Sequence, residues 1–86
     1  MKIESITGRQ IAAARVLLKL FQWELAERSK VSIATLKRME SCDGHPDFCL
    51  INNVSAVCMA LRKSGITFVA QTTVAGAGVR LRKPQG

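Results

Sequence analysis

Tyrosine is absent from this chain, histidine occurs once, and only six residues are acidic. That scarcity removes most catalytic arrangements. No nucleophile and base stand at a recognisable spacing, and no glycine-rich loop ending in Gly-Lys precedes a helix, so an enzyme is not expected. The three cysteines, Cys42, Cys49 and Cys58, are odd in number and form no Cys-x-x-Cys pair. They read as reduced thiols. Together with His45 they match no common zinc finger or ribbon, so neither metal nor other cofactor is expected. The aromatics are limited to Phe21, Trp23, Phe48 and Phe68, which leaves no stacking platform of the kind that reads RNA. Long apolar runs are missing too. Met1 to Gln10 carries no extended hydrophobic stretch, and nothing approaches the roughly 20 residues that cross a bilayer. A cytoplasmic location without membrane association is therefore expected.

What the chain does have is positive charge. Thirteen Lys and Arg against six Asp and Glu give a net charge of +7. A field of that sign concentrates polyanions, of which nucleic acid is the commonest inside a cell. At 48% hydrophobic residues the composition is that of a folded domain rather than a disordered tail. Eighty-six residues make one domain, 1–86, of a size that often gains stability by dimerising.

The apolar spacing predicts helices first and strands last. Thr7 can cap a helix from Gly8 to about Lys19, built on Ile11, Ala14, Val16, Leu17 and Leu18. A shorter helix over Gln22 to Ser29 surrounds Leu25 and Ala26. A third runs from Ser32, a natural N-cap, to Glu40, with Leu36 and Met39 as an apolar pair one turn apart. Cys42-Asp43-Gly44-His45-Pro46 breaks the pattern, and His45 beside Pro reads as a loop residue. A longer helix is expected over Asp47 to Ser64, with Leu50, Val54, Val57, Cys58 and Leu61 on one stripe and Cys49 facing the core. Gly65 is placed to end it. From Ile66 the period changes to two, and a hairpin follows: Ile66, Phe68 and Ala70 alternate along one strand, and Val79 and Leu81 along a second after the Gly-rich stretch 72–78. Pro84 to Gly86 is a tail.

The segment from Gln22 to Glu40 carries the functional argument. Two short helices flank the tight step Ser29-Lys30-Val31. Leu25, Val31, Leu36 and Met39 point inward, and small Ala26 sits where the helices cross, as a helix-turn-helix requires. Ser32, Ile33, Ala34, Thr35, Lys37 and Arg38 face outward, with few acids among them. The helix start also offers unpaired N–H groups and a positive dipole end, both suited to phosphate.

At Gln22, Leu25-Ala26-Glu27-Arg28, Val31-Ser32, Thr35-Leu36 and Arg38-Met39-Glu40, the chain resembles the helix-turn-helix of the lambda-repressor/Cro-like (Xre-type) regulators. Thr7-Gly8-Arg9-Gln10-Ile11 with Ala13-Ala14-Arg15 resembles the first helix of short bacterial members. Gly44-His45-Pro46, Gly65-Ile66-Thr67-Phe68 and Gly78-Val79-Arg80-Leu81-Arg82-Lys83-Pro84 resemble their later segments. The resemblance implies a mainly α, lambda-repressor-like domain of four principal helices (core 7–64) with a C-terminal β-hairpin (65–83). It also implies a transcriptional repressor that reads the major groove of a palindromic operator in double-stranded DNA.

The same resemblance assigns residues. Gln22 would bond a backbone phosphate and set the docking register. Ser32, Ile33 and Ala34 would face base edges, the latter two by shape or against a thymine methyl. Arg38 would read guanine through two hydrogen bonds, and Lys37 and Thr35 would meet phosphates. Arg15 and Glu40 would form a partly buried, structural ion pair between the first and third helices. Four positions depart from the pattern. Phe21 stands where a capping Ser, Thr or Asn is usual, Lys19 and Lys30 stand where Gly is usual, and Trp23 is an unexpected apolar residue near an exposed helix start. Lys30 is accordingly expected in a left-handed conformation.

The hairpin places Ile66, Phe68, Val79 and Leu81 on an apolar side opposite Arg80 and Arg82. Two strands alone are marginal in water, so the pair needs a surface or a second copy, and a homodimer is expected. Family members also serve as antitoxins that hold a toxin while repressing their own operon. Trp23, read either as a core or semi-buried anchor or as a partner contact, keeps that alternative open.

Overall fold

A computed structural model of the chain describes residues 2–72 and 74–82; the expected tail, Pro84 to Gly86, lies outside them, as do Met1, Thr73 and Lys83. Among the described residues, four α-helices are followed by one small antiparallel sheet: α1 (Gly8–Leu17), α2 (Gln22–Ser29), α3 (Ile33–Glu40), α4 (Ile51–Lys63), β1 (Ile66–Val69) and β2 (Gly78–Leu81). None of the described helices is long and apolar enough to cross a membrane.

Local chemistry accounts for the helix boundaries. Thr7 caps α1 by accepting from the Gln10 N–H at 3.1 Å, and the Gln10 side chain accepts in return from the Thr7 N–H at 2.9 Å. This reciprocal capping box satisfies two of the orphan donors at a helix start. α1 ends at Leu17, short of the expected Lys19, which instead turns the chain with φ 57°. The Phe21 ring cannot accept a hydrogen bond, so α2 has only half a box, the Glu24 carboxylate accepting from the Phe21 N–H at 2.9 Å. Lys30 ends α2 in the left-handed conformation at φ 58°, ψ 37°. Ser32 then caps α3, accepting from the Thr35 N–H at 3.1 Å.

The segment between α3 and α4 departs from expectation. The helix predicted from Asp47 begins only at Ile51. The reason lies in a turn: the Asp47 N–H donates to the His45 carbonyl at 2.9 Å and the Cys49 N–H to the Pro46 carbonyl at 3.1 Å, while the Pro46 ring is fully buried. Leu50 is left in an extended conformation and 73% exposed, off the apolar stripe to which its spacing assigned it. Cys49 sits in the turn rather than on the helix, although it still packs against the core. The rest of the stripe holds, with Val54, Val57, Cys58 and Leu61 wholly buried.

Those four residues join Ile6, Ile11, Ala14, Leu25, Ala26, Leu36, Met39, Ile66 and Phe68 in one core cluster. Burial of apolar surface of this kind supplies most of the stability of a small domain. Gly65, at φ 106°, turns the chain from α4 into β1. The sheet pairs Ile66 with Leu81, Thr67 with Arg80, Phe68 with Val79 and Val69 with Gly78. β1 ends at Val69, before the alternating pattern does. β1 lies on α4 and β2 on α1, so the hairpin has the supporting surface that two strands need.

Candidate nucleic-acid interface

α3 separates its faces cleanly. Leu36 and Met39 are wholly buried, whereas Ser32, Ile33, Ala34, Lys37 and Arg38 are exposed. Thr35 is half-buried rather than fully outward, and its hydroxyl accepts from Ser32 Oγ at 2.8 Å. Val31 is half-buried and packs against the core. The acidic residue of α3, Glu40, is already engaged from the opposite side. Among the described residues, neither Lys37 nor Arg38 has an acidic partner within ion-pair distance. The outer face of α3 is therefore cationic without local compensation.

Glu40 is held by Arg15. The Arg15 Nε donates to Oε2 at 2.9 Å and Nη2 to Oε1 at 3.0 Å, a forked geometry that fixes both side chains. Nη1 donates to the Leu20 carbonyl at 2.8 Å and so also ties down the α1–α2 connection. The side chains are 18% and 6% exposed, so the pair is largely removed from water and loss of either partner would strand a charge. Gln22 joins this cluster, its Nε2 donating to Glu40 Oε1 at 3.3 Å. It is half-buried at the start of α2 beside the brace, not extended from the surface.

Arg38 has a partner that sequence reasoning missed. Its guanidinium lies 4.9 Å from the centre of the Phe48 ring, which is itself 51% exposed. Nothing in the spacing signals this contact, because Phe48 belongs to the turn that replaces the expected start of α4. Gln10 was also missed. It is a buried amide whose Nε2 donates to the Val69 carbonyl at 3.1 Å and the Gly78 carbonyl at 2.9 Å, clasping the loop end of the hairpin. His45 bonds the Ile6 carbonyl through Nδ1 at 2.9 Å, which pins its loop to the entry of α1.

The remaining polar chemistry is dispersed. Burial raises the thiol of Cys58 to about 11 despite the opposing charge of Arg62. Desolvation also raises Cys49, partly offset by Arg38 and reinforced by Cys42. Among the described residues no three His, Cys, Asp or Glu gather as a metal site. One open groove of about 360 Å³ lies between Thr7, Arg9 and Gln10 of the α1 start and Gly78 of β2. A second, of about 370 Å³, is lined by Thr67, Arg80, Leu81 and Arg82 of the hairpin. Neither is lined by α3. Phe21 and Trp23 are 67% and 54% exposed, so Trp23 lies outside the core. No protein-family model matches the chain, and none of the curated proteins matches it either.

Proposed function

We propose that this protein is a sequence-specific regulator of the lambda-repressor/Cro-like type, a dimeric repressor that lays α3 in the major groove of double-stranded DNA. The observation that carries the reading is the outer face of α3, where Lys37 and Arg38 stand exposed and uncompensated while Arg15 neutralises Glu40 behind them. A cationic face on a braced helix meets both requirements of groove binding, attraction to phosphate and a rigid element of the right width. Ser32, Ile33 and Ala34 meet base edges, Arg38 reads a guanine, and Lys37 and Thr35 meet phosphates; for Gln22 to bond a phosphate as well, its amide must turn from Glu40.

The hairpin supports pairing of two copies. The Arg82 N–H donates to the Gly65 carbonyl at 2.8 Å. Hydrogen-bonded pairs alternate along an antiparallel ladder, so Thr67–Arg80 and Val69–Gly78 are the next bonded pairs. The backbone groups of Val79 and Leu81 then point to the free edge of β2. An antiparallel junction centred on Val79 sets Arg80 of one copy opposite Gly78 of the other and avoids Arg against Arg. To read a palindrome, such a dimer must set its two α3 helices about 34 Å apart, one turn of DNA.

Selection of bound sequences from a random duplex pool tests the reading. The expected result is a palindrome with half-sites about one turn apart. Arg38→Ala should bind it about 1–3 kcal/mol more weakly and relax one base pair per half-site. Recovery of no preferred sequence, or a monomer by sedimentation at tens of micromolar with and without DNA, would count against the proposal.

A second reading rests on a separate observation. Val16, Leu17, Phe21 and Trp23, at the corner between α1 and α2, are all exposed. Apolar side chains gathered in so short a stretch favour a protein partner, as in antitoxins of this type. Copurification of a second small protein, lost in Trp23→Ser but not in Arg38→Ala, would support it.

A further inference from the structure

We infer that Phe48 is a specificity-determining positioning residue, whose ring holds the Arg38 guanidinium in place for base readout. The inference rests on the DNA-binding reading above. Its geometric basis is the 4.9 Å separation between the Arg38 guanidinium carbon and the Phe48 ring centre. A guanidinium stacked on a ring uses its face, while all of its N–H donors lie in the plane of the group and radiate from its edge. Contact made through that face leaves free the edge that would donate to guanine O6 and N7.

The turn that carries the ring is held at several points. It is closed by the Cys49 N–H on the Pro46 carbonyl at 3.1 Å and by the Asp47 N–H on the His45 carbonyl at 2.9 Å. Pro46 is buried, and His45 is itself bonded to the Ile6 carbonyl. Arg38, by contrast, is on the exposed side of α3 with no acidic partner among the described residues. A free arginine of this kind loses several rotatable bonds when it binds. Holding it beforehand saves the equivalent of about 2- to 10-fold in affinity. The benefit belongs to the operator, because attraction to phosphate depends on charge, which Phe48 does not alter.

The test is a titration of the selected operator and a scrambled duplex, by anisotropy of a labelled strand, with the parent protein, Phe48→Leu, Phe48→Tyr, Arg38→Ala and the double variant Arg38→Ala/Phe48→Leu. Phe48→Leu should bind the operator about 2- to 10-fold more weakly, with unchanged affinity for the scrambled duplex. The weakened discrimination should fall at the base pair relaxed by Arg38→Ala. Phe48→Tyr, which keeps a ring face, should bind as the parent does, and the double variant should be no weaker than Arg38→Ala alone. Side-chain resonances of Arg38 in the free protein should show ring-current shifts that vanish in Phe48→Leu, a readout independent of DNA. If the parent selects an operator and Arg38→Ala weakens it, but Phe48→Leu binds it as the parent does, the positioning role alone is overturned. An additive loss in the double variant overturns it equally. If the parent selects no sequence, the DNA-binding reading itself falls and takes this role with it.

Discussion

At Gly8 the N-terminus of α1 abuts the C-terminus of α3. A Cβ there would fall inside the van der Waals envelope of the Met39 and Cys42 carbonyl oxygens, which are backbone atoms with little freedom to yield. Gly8→Ala should cost about 3 kcal/mol, read as a lower urea midpoint, because overpacking against backbone forces a shift of the whole helix. Lys30 offers the opposite case. Its φ of 58° is a strained conformation for a residue with a Cβ. Lys30→Gly should raise stability by about 0.5–1 kcal/mol in the same assay, the relief of strain exceeding the added freedom of the unfolded chain. The strain at Lys30 was legible in the chain, because the residue stands where the related pattern has glycine. The close approach at Gly8 was not legible, since it depends on a backbone some thirty residues away.

The elements differ in how they are held. α1 and α3 have capping side chains, but the residue before α2 is Phe21, whose ring caps nothing, and the stability of α2 therefore comes from packing of Leu25 and Ala26. The hairpin depends on Gln10, whose amide reaches both carbonyls of the Val69–Gly78 pair. Gln10→Leu should loosen the hairpin without unfolding the helices. Hydrogen exchange should show the Thr67 and Arg80 amides exchanging about 30-fold faster, since two neutral hydrogen bonds contribute about 1 kcal/mol each. The Cys58 amide, in the middle of α4, should keep its protection. Equal acceleration at both places would show that Gln10 supports the whole fold and not the hairpin alone. Helix starts with a polar cap were readable from the chain, as at Thr7 and Ser32. The start of α4 was not, because Pro46 and its neighbours form a turn whose amides compete with the first helical residues.

For the molecule as a whole, Cys58 links folding to alkaline pH. Its thiol titrates at about 11 in the folded chain against an ordinary value of 9.0, with burial the larger cause. The unfolded chain therefore releases this proton first. The stability contributed by the buried neutral thiol is complete below pH 9 and is lost as pH rises towards 11. Urea midpoints should fall more steeply between about pH 8 and about pH 10.5 in the parent than in Cys58→Ala, which lacks the titrating group. Identical slopes would show that the thiol remains hydrated.

The chain alone determined that helices come first and a hairpin last, since apolar period is a local property and changes from helical to twofold at Gly65. It also determined the net positive charge, and it marked the outward residues of the third helix, because burying Leu36 and Met39 leaves the opposite side to solvent. Only the tertiary structure decided which of those residues stand alone and which are held. The Arg15–Glu40 pair was implied by the resemblance and is present, but that Gln22 turns towards it and that Phe48 lies beneath Arg38 were not. Each of these depends on the distance between segments remote in the chain, and spacing along one segment carries no information about that distance.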